Sequence, residues 1–375
     1  MAVYFKKFFV RDSVSFNISE IRFKECTITL HRTFRTALGE ESYGKSIVVA
    51  VIDKRGQVGY GEASPSPRIT GTTPQACIDV LDRARHFIRE LTPYDIKKLH
   101  KYLQQLNVAV PEAKAALDIA MYDLKTREFG IPLWRFLGAE NDTLLTDITV
   151  SLGDTEYMLQ EAKMYVSKNF NILKIKVGED PSRDVERLKI LRQNIPEHVI
   201  IRIDVNQGWK SIKNVLKILE DLYKLNIQLI EQPLPRKQYS DIVHLSKVCK
   251  VPIILDESVF DIHDLRNLIQ LGFQDGVNIK LMKCGGIFPA LQLGYTARAF
   301  NMELMVGCML ETKVSITAAA ALAAALDVEY VDLDSPLLAK DTSIKIQGGV
   351  TYDGPRIILP KDPGLGIRID DPELG

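Results

Sequence analysis

At 375 residues the chain is too long for one small core, but it suits a barrel of about 250 residues with an added domain. Lysine plus arginine and aspartate plus glutamate number 48 each, so no charge excess steers it to nucleic acid or an anionic membrane. Cys26, Cys77, Cys249, Cys284 and Cys308 are scattered without metal-ligand spacing, which reads as reduced thiols in the cytoplasm, and no apolar run reaches the roughly 18 residues of a membrane span.

The opening "MAVYFKKFFVRDSVSF" is basic and aromatic, but Lys6 and Lys7 break it before a signal-length apolar core forms, so an appended strand or arm is expected. Residues 20–62 read as an antiparallel meander: "EIRFKECTITL", "SIVVAVID", a tight turn at Lys54-Arg55-Gly56, then "QVGYGEA", with a polar loop "HRTFRTALGEESYGK" between the first two strands. From Thr73, a helix cap ahead of Pro74, the pattern turns helical in "PQACIDVLDRARHFIREL", "YDIKKLHKYLQQL" and "PEAKAALDIAMYDLKTREFG". A sheet followed by helices makes residues 1–138 an α+β domain.

Beyond that point, short apolar strands alternate with amphipathic helices at a period near 25 residues. The strands are "LLTDITVS", "ILKIKVG", "VIIRIDVN", "IQLIEQP", "PIILDES", "GVNIKLMK", "MELMVGCM" and "EYVDLDSP", and eight such units are the number that closes a (β/α)8 barrel of the TIM type. An open doubly wound sheet gives no reason for eight similar units, and no Gly-rich nucleotide loop follows the first strand. The barrel is assigned to residues 139–345, and the tail 346–375 is expected to pack back on the first domain.

Side chains alternate along a strand, so the charged residues of these strands fall on one side, the barrel interior. Strands two to six end in Lys176, Asp204, Glu231, Asp256 and Lys280, at intervals of 28, 27, 25 and 24 residues. Active sites of barrel enzymes lie at this C-terminal end. Three neighbouring carboxylates repel unless a cation sits among them, and an all-oxygen set suits Mg²⁺ or Mn²⁺. By parity Glu257 points away, toward the helices and a salt bridge, while Asn278, Lys280 and Met282 point inward. Asn206 and Gln232 could orient the site or serve only the loops.

Lys176 and Lys280 would flank whatever the metal holds. A lysine acts as a base only when its pKa is pulled down, and Lys174, two residues back on the same face, is the neighbour that would do so. The alternative is that both lysines of the K-x-K only neutralise the carboxylates. Proton abstraction next to a substrate carboxylate, giving an enediolate, suits this set, and a base on each face would invert a stereocentre. The six histidines form no cluster that would support a Ser/His/Asp nucleophile.

The ordered set K-x-K, D-x-N, E-Q-P, D-E-S and "NIKLMKCGG" after a capping domain resembles the muconate-lactonizing branch of the enolase superfamily, and within it the dipeptide epimerases. The resemblance implies one Mg²⁺ per subunit on Asp204, Glu231 and Asp256, with Mn²⁺ able to substitute, and Lys176 and Lys280 as the two acid/base catalysts. It also implies a dipeptide substrate whose ammonium group meets Asp332 and Asp334. Thr149, Cys308 and Met309 are expected at the substrate, and a homo-oligomer with no nucleic-acid or membrane partner is expected. Relatives that act on L-Ala-D/L-Glu carry an arginine after "FRTAL", where this chain has Gly39, leaving space unless Arg68 of "SPSPRITG" takes over. Broad L-Ala-L-Xaa epimerisation favouring larger uncharged side chains follows. The alternatives are an L-Ala-D/L-Glu epimerase, or an o-succinylbenzoate synthase or cycloisomerase.

Overall fold

The computed structural model describes residues 16–106 and 108–374, so the expected amino-terminal arm lies, up to residue 15, outside the described residues. The first sheet is built from β1 (Ile18–Thr36), β2 (Gly39–Asp53) and β3 (Val58–Ala63), paired antiparallel in that order. The stretch expected as a polar loop is instead the far half of the β1–β2 hairpin. Pairing runs out to Thr36 opposite Gly39, leaving Ala37 and Leu38 as the turn. The apolar period that marks a half-buried strand is missing there because this half leaves the core and runs over the barrel mouth, where the Leu152 amide donates to the Arg35 carbonyl. Helix Pro111–Phe129 lies on the other part of the sheet and is buried almost all round. Its approach depends on Gly61, where a Cβ would stand 1.9 Å from the Ala116 carbonyl oxygen.

Eight parallel strands form the second unit in unbroken sequence order: β5 (Ile148–Val150), β6 (Ile172–Lys176), β7 (Ile200–Asp204), β8 (Ile227–Glu231), β9 (Ile253–Leu255), β10 (Gly276–Ile279), β11 (Glu303–Gly307) and β12 (Tyr330–Asp332). The expected first strand splits in two. β4 (Thr143–Leu145) pairs outside the barrel with β16 (Arg356–Ile358), and only β5 enters it. Leu173, Ile175, Ile201 and Ile203 are fully buried on the strands' apolar side, as a parallel sheet covered by helices requires. Inside, Arg202 donates to Asp147 at 2.8 Å and to Gln228 at 2.7 Å, filling a lower polar layer of the barrel. Register sets Lys176 beside Asp204 and Asp204 beside Glu231, so the upper layer is aligned by the ladder itself.

Two carboxylates of the capping domain close barrel helices. Asp118 accepts from the amide of Ile287, the first residue of helix Ile287–Ala299, and Glu62 accepts from the amides of Thr312 and Ser315 at the start of helix Lys313–Leu326. Each negative group thus sits at the positive end of a helix and takes up amides that have no partner within it. β13 (Ala339–Thr342) leaves the barrel to pair with β1. The tail carries β14 (Ile346–Gly348), β15 (Thr351–Asp353), β16 and β17 (Ile367–Ile369), and it meets the capping domain through Lys24–Asp371 at 2.9 Å and the Leu365 amide on Asp123 at 2.7 Å. Among the described residues no helix is long and apolar enough to cross a membrane.

Candidate active site

At the C-terminal ends of the barrel strands, under the β1–β2 hairpin, lies a cavity of about 470 Å³. Lys174, Lys176, Lys280, Thr149, Cys308, Met309, Asp332 and Asp334 reach it from the barrel, and Phe34, Gly39 and Arg68 from the capping domain. Asp204, Glu231 and Asp256 are fully buried and lie behind the lysines rather than on the cavity wall. Lys176 Nζ is 2.6 Å from Asp204 and 3.1 Å from Asn206 Oδ1, while Lys280 Nζ is 2.8 Å from Asp256. Strands β6 and β10, which bring in the two lysines, stand four places apart in the row of eight, on opposite sides of the mouth.

Lys174 does not act here as a free neighbour of Lys176. Its ammonium meets Glu231 at 2.6 Å, Asp332 at 2.7 Å and Asp204 at 3.0 Å. Burial opposes that charge, but the three carboxylates outweigh it and hold Lys174 well above the usual lysine range. For Lys280 too, burial is overcome by Asp256 and Glu231, which raise it. The lysine charges act in turn on the acids. Against the effect of burial, Lys174 and Lys176 pull Asp204 down to about 2. Burial and Asp204 push Glu231 up to about 7. The cause is the same for Lys174 and Lys280: carboxylates are their nearest charges.

The donor set fits a hard dication such as Mg²⁺: three buried carboxylates with no thiol or imidazole. Glu231 Oε2 and Asp256 Oδ1 each lie 2.6 Å from a lysine ammonium, and each oxygen keeps a second lone pair with which to accept. Among the described residues no three acids already converge into a cage, since lysine ammoniums stand between them.

Glu257 contradicts its parity. β9 ends at Leu255, alternation lapses, and the side chain turns to the carboxylates instead of to a salt bridge. It accepts from Asn206 Nδ2 at 3.2 Å, its other oxygen is buried without a hydrogen-bond partner, and burial with Asp256 and Asp204 pushes it up to about 8. Met282 also departs from its expected place. β10 ends at Ile279, Leu281–Cys284 is a helical turn, and the Met282 sulfur faces the Ser64 amide of the capping domain at 3.2 Å. Gln232 braces the Asp256 loop by accepting from the Asp256 and Ser258 amides. Two supports had no role in the sequence reading. Asn278 donates to Glu231 at 2.8 Å, and its inward parity was the available signal. Lys283 donates to the carbonyls of Asp256, Val259 and Asn278, three contacts made across loops that periodicity does not describe.

On the substrate side, Asp334 accepts from the Thr149 amide at 2.7 Å, and burial with Asp332 pushes it up to about 6. Burial opposes ionisation of Asp332 also, but Lys174 and Lys280 hold it below the usual carboxylate range. Gly39 does not leave open space. It has φ +134°, and a Cβ there would stand 2.9 Å from Arg68 Cζ and 3.1 Å from Arg68 Nε. The Arg68 guanidinium fills that volume, with Glu41 3.4 Å away.

Residues 18–138 match the mandelate racemase / muconate lactonizing enzyme N-terminal domain, and residues 157–374 match the enolase C-terminal domain-like family. The hydrophobic dipeptide epimerase of Enterococcus faecalis is 35% identical over 353 residues, covering 93% of this chain and 99% of the relative. The L-Ala-D/L-Glu epimerase of Bacillus subtilis is 37% identical over 361 residues, covering 93% and 96%. The crystal structure of the Enterococcus faecalis dipeptide epimerase complexed with Mg and L-Leu-L-Tyr superposes with a TM-score of 0.90, at 35% identity, over 94% of this chain and 99% of that one. Relatives named as epimerases are isomerases. Both domain matches, in the same order and spanning nearly all of the chain, make this protein a member of the mandelate racemase / muconate lactonizing enzyme family of the enolase superfamily.

Proposed function

We propose that this protein epimerises L-Ala-L-Xaa dipeptides by two-base 1,1-proton transfer, with broad preference for uncharged Xaa. The observation that carries this reading is one cavity into which Lys176, Lys280, Asp332 and Asp334 all open. Asp332 and Asp334 receive the dipeptide ammonium group, with the Thr149 amide fixing Asp334. One lysine takes the proton from the α-carbon and the opposite lysine returns one to the other face. Asn206 and Asp204 orient Lys176, and Asp256 orients Lys280. Asp204, Glu231 and Asp256 would hold Mg²⁺, which would supply positive charge for the substrate carboxylate. Cys308 and Met309 form the wall beside the substrate, and Phe34 and Leu38 of the hairpin close it from above.

With Mg²⁺ and a dipeptide library in D2O, L-Ala-L-Leu or L-Ala-L-Phe is expected to gain one deuteron, read by mass spectrometry, and to yield the D-epimer. No exchange in any dipeptide would end this assignment.

A second reading, an L-Ala-D/L-Glu epimerase, is favoured by the Arg68 guanidinium over Gly39. Glu41 beside it offsets that charge, which keeps the uncharged preference in front. Arg68→Ala is accordingly expected to change the ratio of kcat/KM for Ala-Glu over Ala-Leu by less than about tenfold. A larger fall, the size of one lost charge-assisted hydrogen bond, would select Ala-Glu. Gly39→Arg is expected to lower the melting temperature, because a residue with a Cβ is strained at φ +134° and meets Arg68.

A further inference from the structure

We propose that Glu311 is a positioning residue which works as a neutral, proton-donating carboxyl and ties the cavity wall Cys308–Leu310 to the capping domain. The proposal rests on the epimerase reading for its kinetic consequence, but not for its structural content.

Glu311, Ser315 and Glu62 form a buried chain linking barrel to cap, and all three are 1% exposed or less. Glu62 Oε1 accepts from the Thr312 amide at 2.8 Å. Its Oε2 accepts from Thr312 Oγ1 at 2.6 Å, the Ser315 amide at 3.2 Å and Ser315 Oγ at 3.0 Å. Glu311 Oε1 accepts from the Met309 amide at 2.7 Å, and its Oε2 lies 2.5 Å from the same Ser315 Oγ.

A serine hydroxyl has one hydrogen to give, and two carboxylates stand within reach of it. If both acids were ionised, one short oxygen–oxygen contact would hold no proton, and two buried charges would repel across a single hydroxyl. The contacts are satisfied when Glu311 donates from Oε2 to Ser315 Oγ and Ser315 donates onward to Glu62. The proton belongs on Glu311 because Glu62 already takes three other donors and sits at the positive end of helix Lys313–Leu326. The charged and titratable groups facing Glu311 agree with this. Burial acts first and Glu62 second to push it up to about 7, while Lys280 pulls weakly the other way and the Cys308 thiol lies on the same loop.

The chain holds a wall of the cavity. Glu311 grips the Met309 amide, its own N–H donates to Ser335 Oγ at 2.8 Å, and its carbonyl accepts from that same hydroxyl at 2.8 Å, next to Asp334. From the cap, Ser64 Oγ donates to the Leu310 carbonyl at 2.6 Å. Ionising Glu311 would leave one Ser315 hydrogen between two carboxylates, so either the Glu311–Ser315 or the Ser315–Glu62 link is lost and the wall at Cys308 and Met309 loses its tie to the cap.

Glu311→Gln separates this from a structural carboxylate, since its amide oxygen can accept from Met309 and its NH2 can donate to Ser315. Glu311→Gln is expected to keep the KM for Ala-Leu within about twofold of wild type, whereas Glu311→Ala raises it about tenfold, with a smaller change in kcat. Melting temperature against pH supplies a readout that needs no substrate. A group raised from 4.5 to about 7 in the fold contributes stability below pH 4.5 that is lost as pH rises through about 7. The advantage of Glu311→Gln over wild type should therefore grow across that window and level off above it. Equal damage from Gln and Ala, or a difference independent of pH, would overturn the proposal. Where Glu311→Ala does not fold, the comparison of Gln with wild type decides it alone. Absence of exchange in wild type would instead remove the epimerase assignment and leave the pH slope as the test of Glu311.

Discussion

Lys280→Ala and Lys176→Ala are each expected to lower epimerisation by about 10²–10⁴-fold, the usual contribution of a positioned acid or base. Both variants should fold, because neither deletion strands a buried acid. Without Lys280, Asp256 still has Lys283 at 2.6 Å; without Lys176, Asp204 still has Lys174 at 3.0 Å. The informative readout is deuterium exchange from each epimer separately. The lysine that remains should still exchange the α-proton of the epimer that faces it, with no inversion, and the two variants should choose opposite epimers. Loss of exchange from both epimers in both variants would point to one lysine acting with a partner of another kind, and full activity in either would remove the two-base mechanism.

Lys174→Met is expected to be the most damaging substitution for stability, lowering it by about 3–5 kcal/mol, since one ammonium serves three buried carboxylates. Its direction on adding Mg²⁺ is as informative as its size. A cation that binds the acids left without their ammonium in the folded state restores stability in proportion to the logarithm of its concentration over Kd. Thermal melts with and without Mg²⁺ should therefore show a larger gain in the variant than in wild type. Lys174 as a neighbour that only tunes Lys176 predicts otherwise: a nearly unchanged melt with a displaced pH profile of kcat.

The barrel and its charged ring were legible because both depend on periods that survive in a single chain. Repetition near 25 residues gave the eight units, and two-residue alternation put Lys176, Asp204 and Glu231 on one side. The errors begin where a strand stops. β9 is three residues long and β10 four, so the parity carried forward to Glu257 and Met282 no longer described a pleated chain. The "LLTDITVS" run hid a change of sheet at Thr146–Asp147, where the backbone bonds to Pro355 and Val331 instead of continuing one ladder. The hairpin tip failed for another reason: it crosses the mouth of the cavity, so neither of its faces needs an apolar pattern. Arg68 filling the volume at Gly39, and Glu62 meeting Glu311, join residues 29 and 249 positions apart, and no local pattern records such pairs.

Asp118 and Glu62 have a consequence for how the chain can be divided. Each places a capping-domain side chain at the first turn of a barrel helix, so a barrel expressed from residue 139 onward would lose the groups that terminate helices Ile287–Ala299 and Lys313–Leu326. The two domains are thus separate in sequence but share their hydrogen-bond inventory. Recombining this barrel with another cap would succeed only where acids at positions equivalent to these two came along, and the useful unit of exchange is the hairpin tip, which ends no helix.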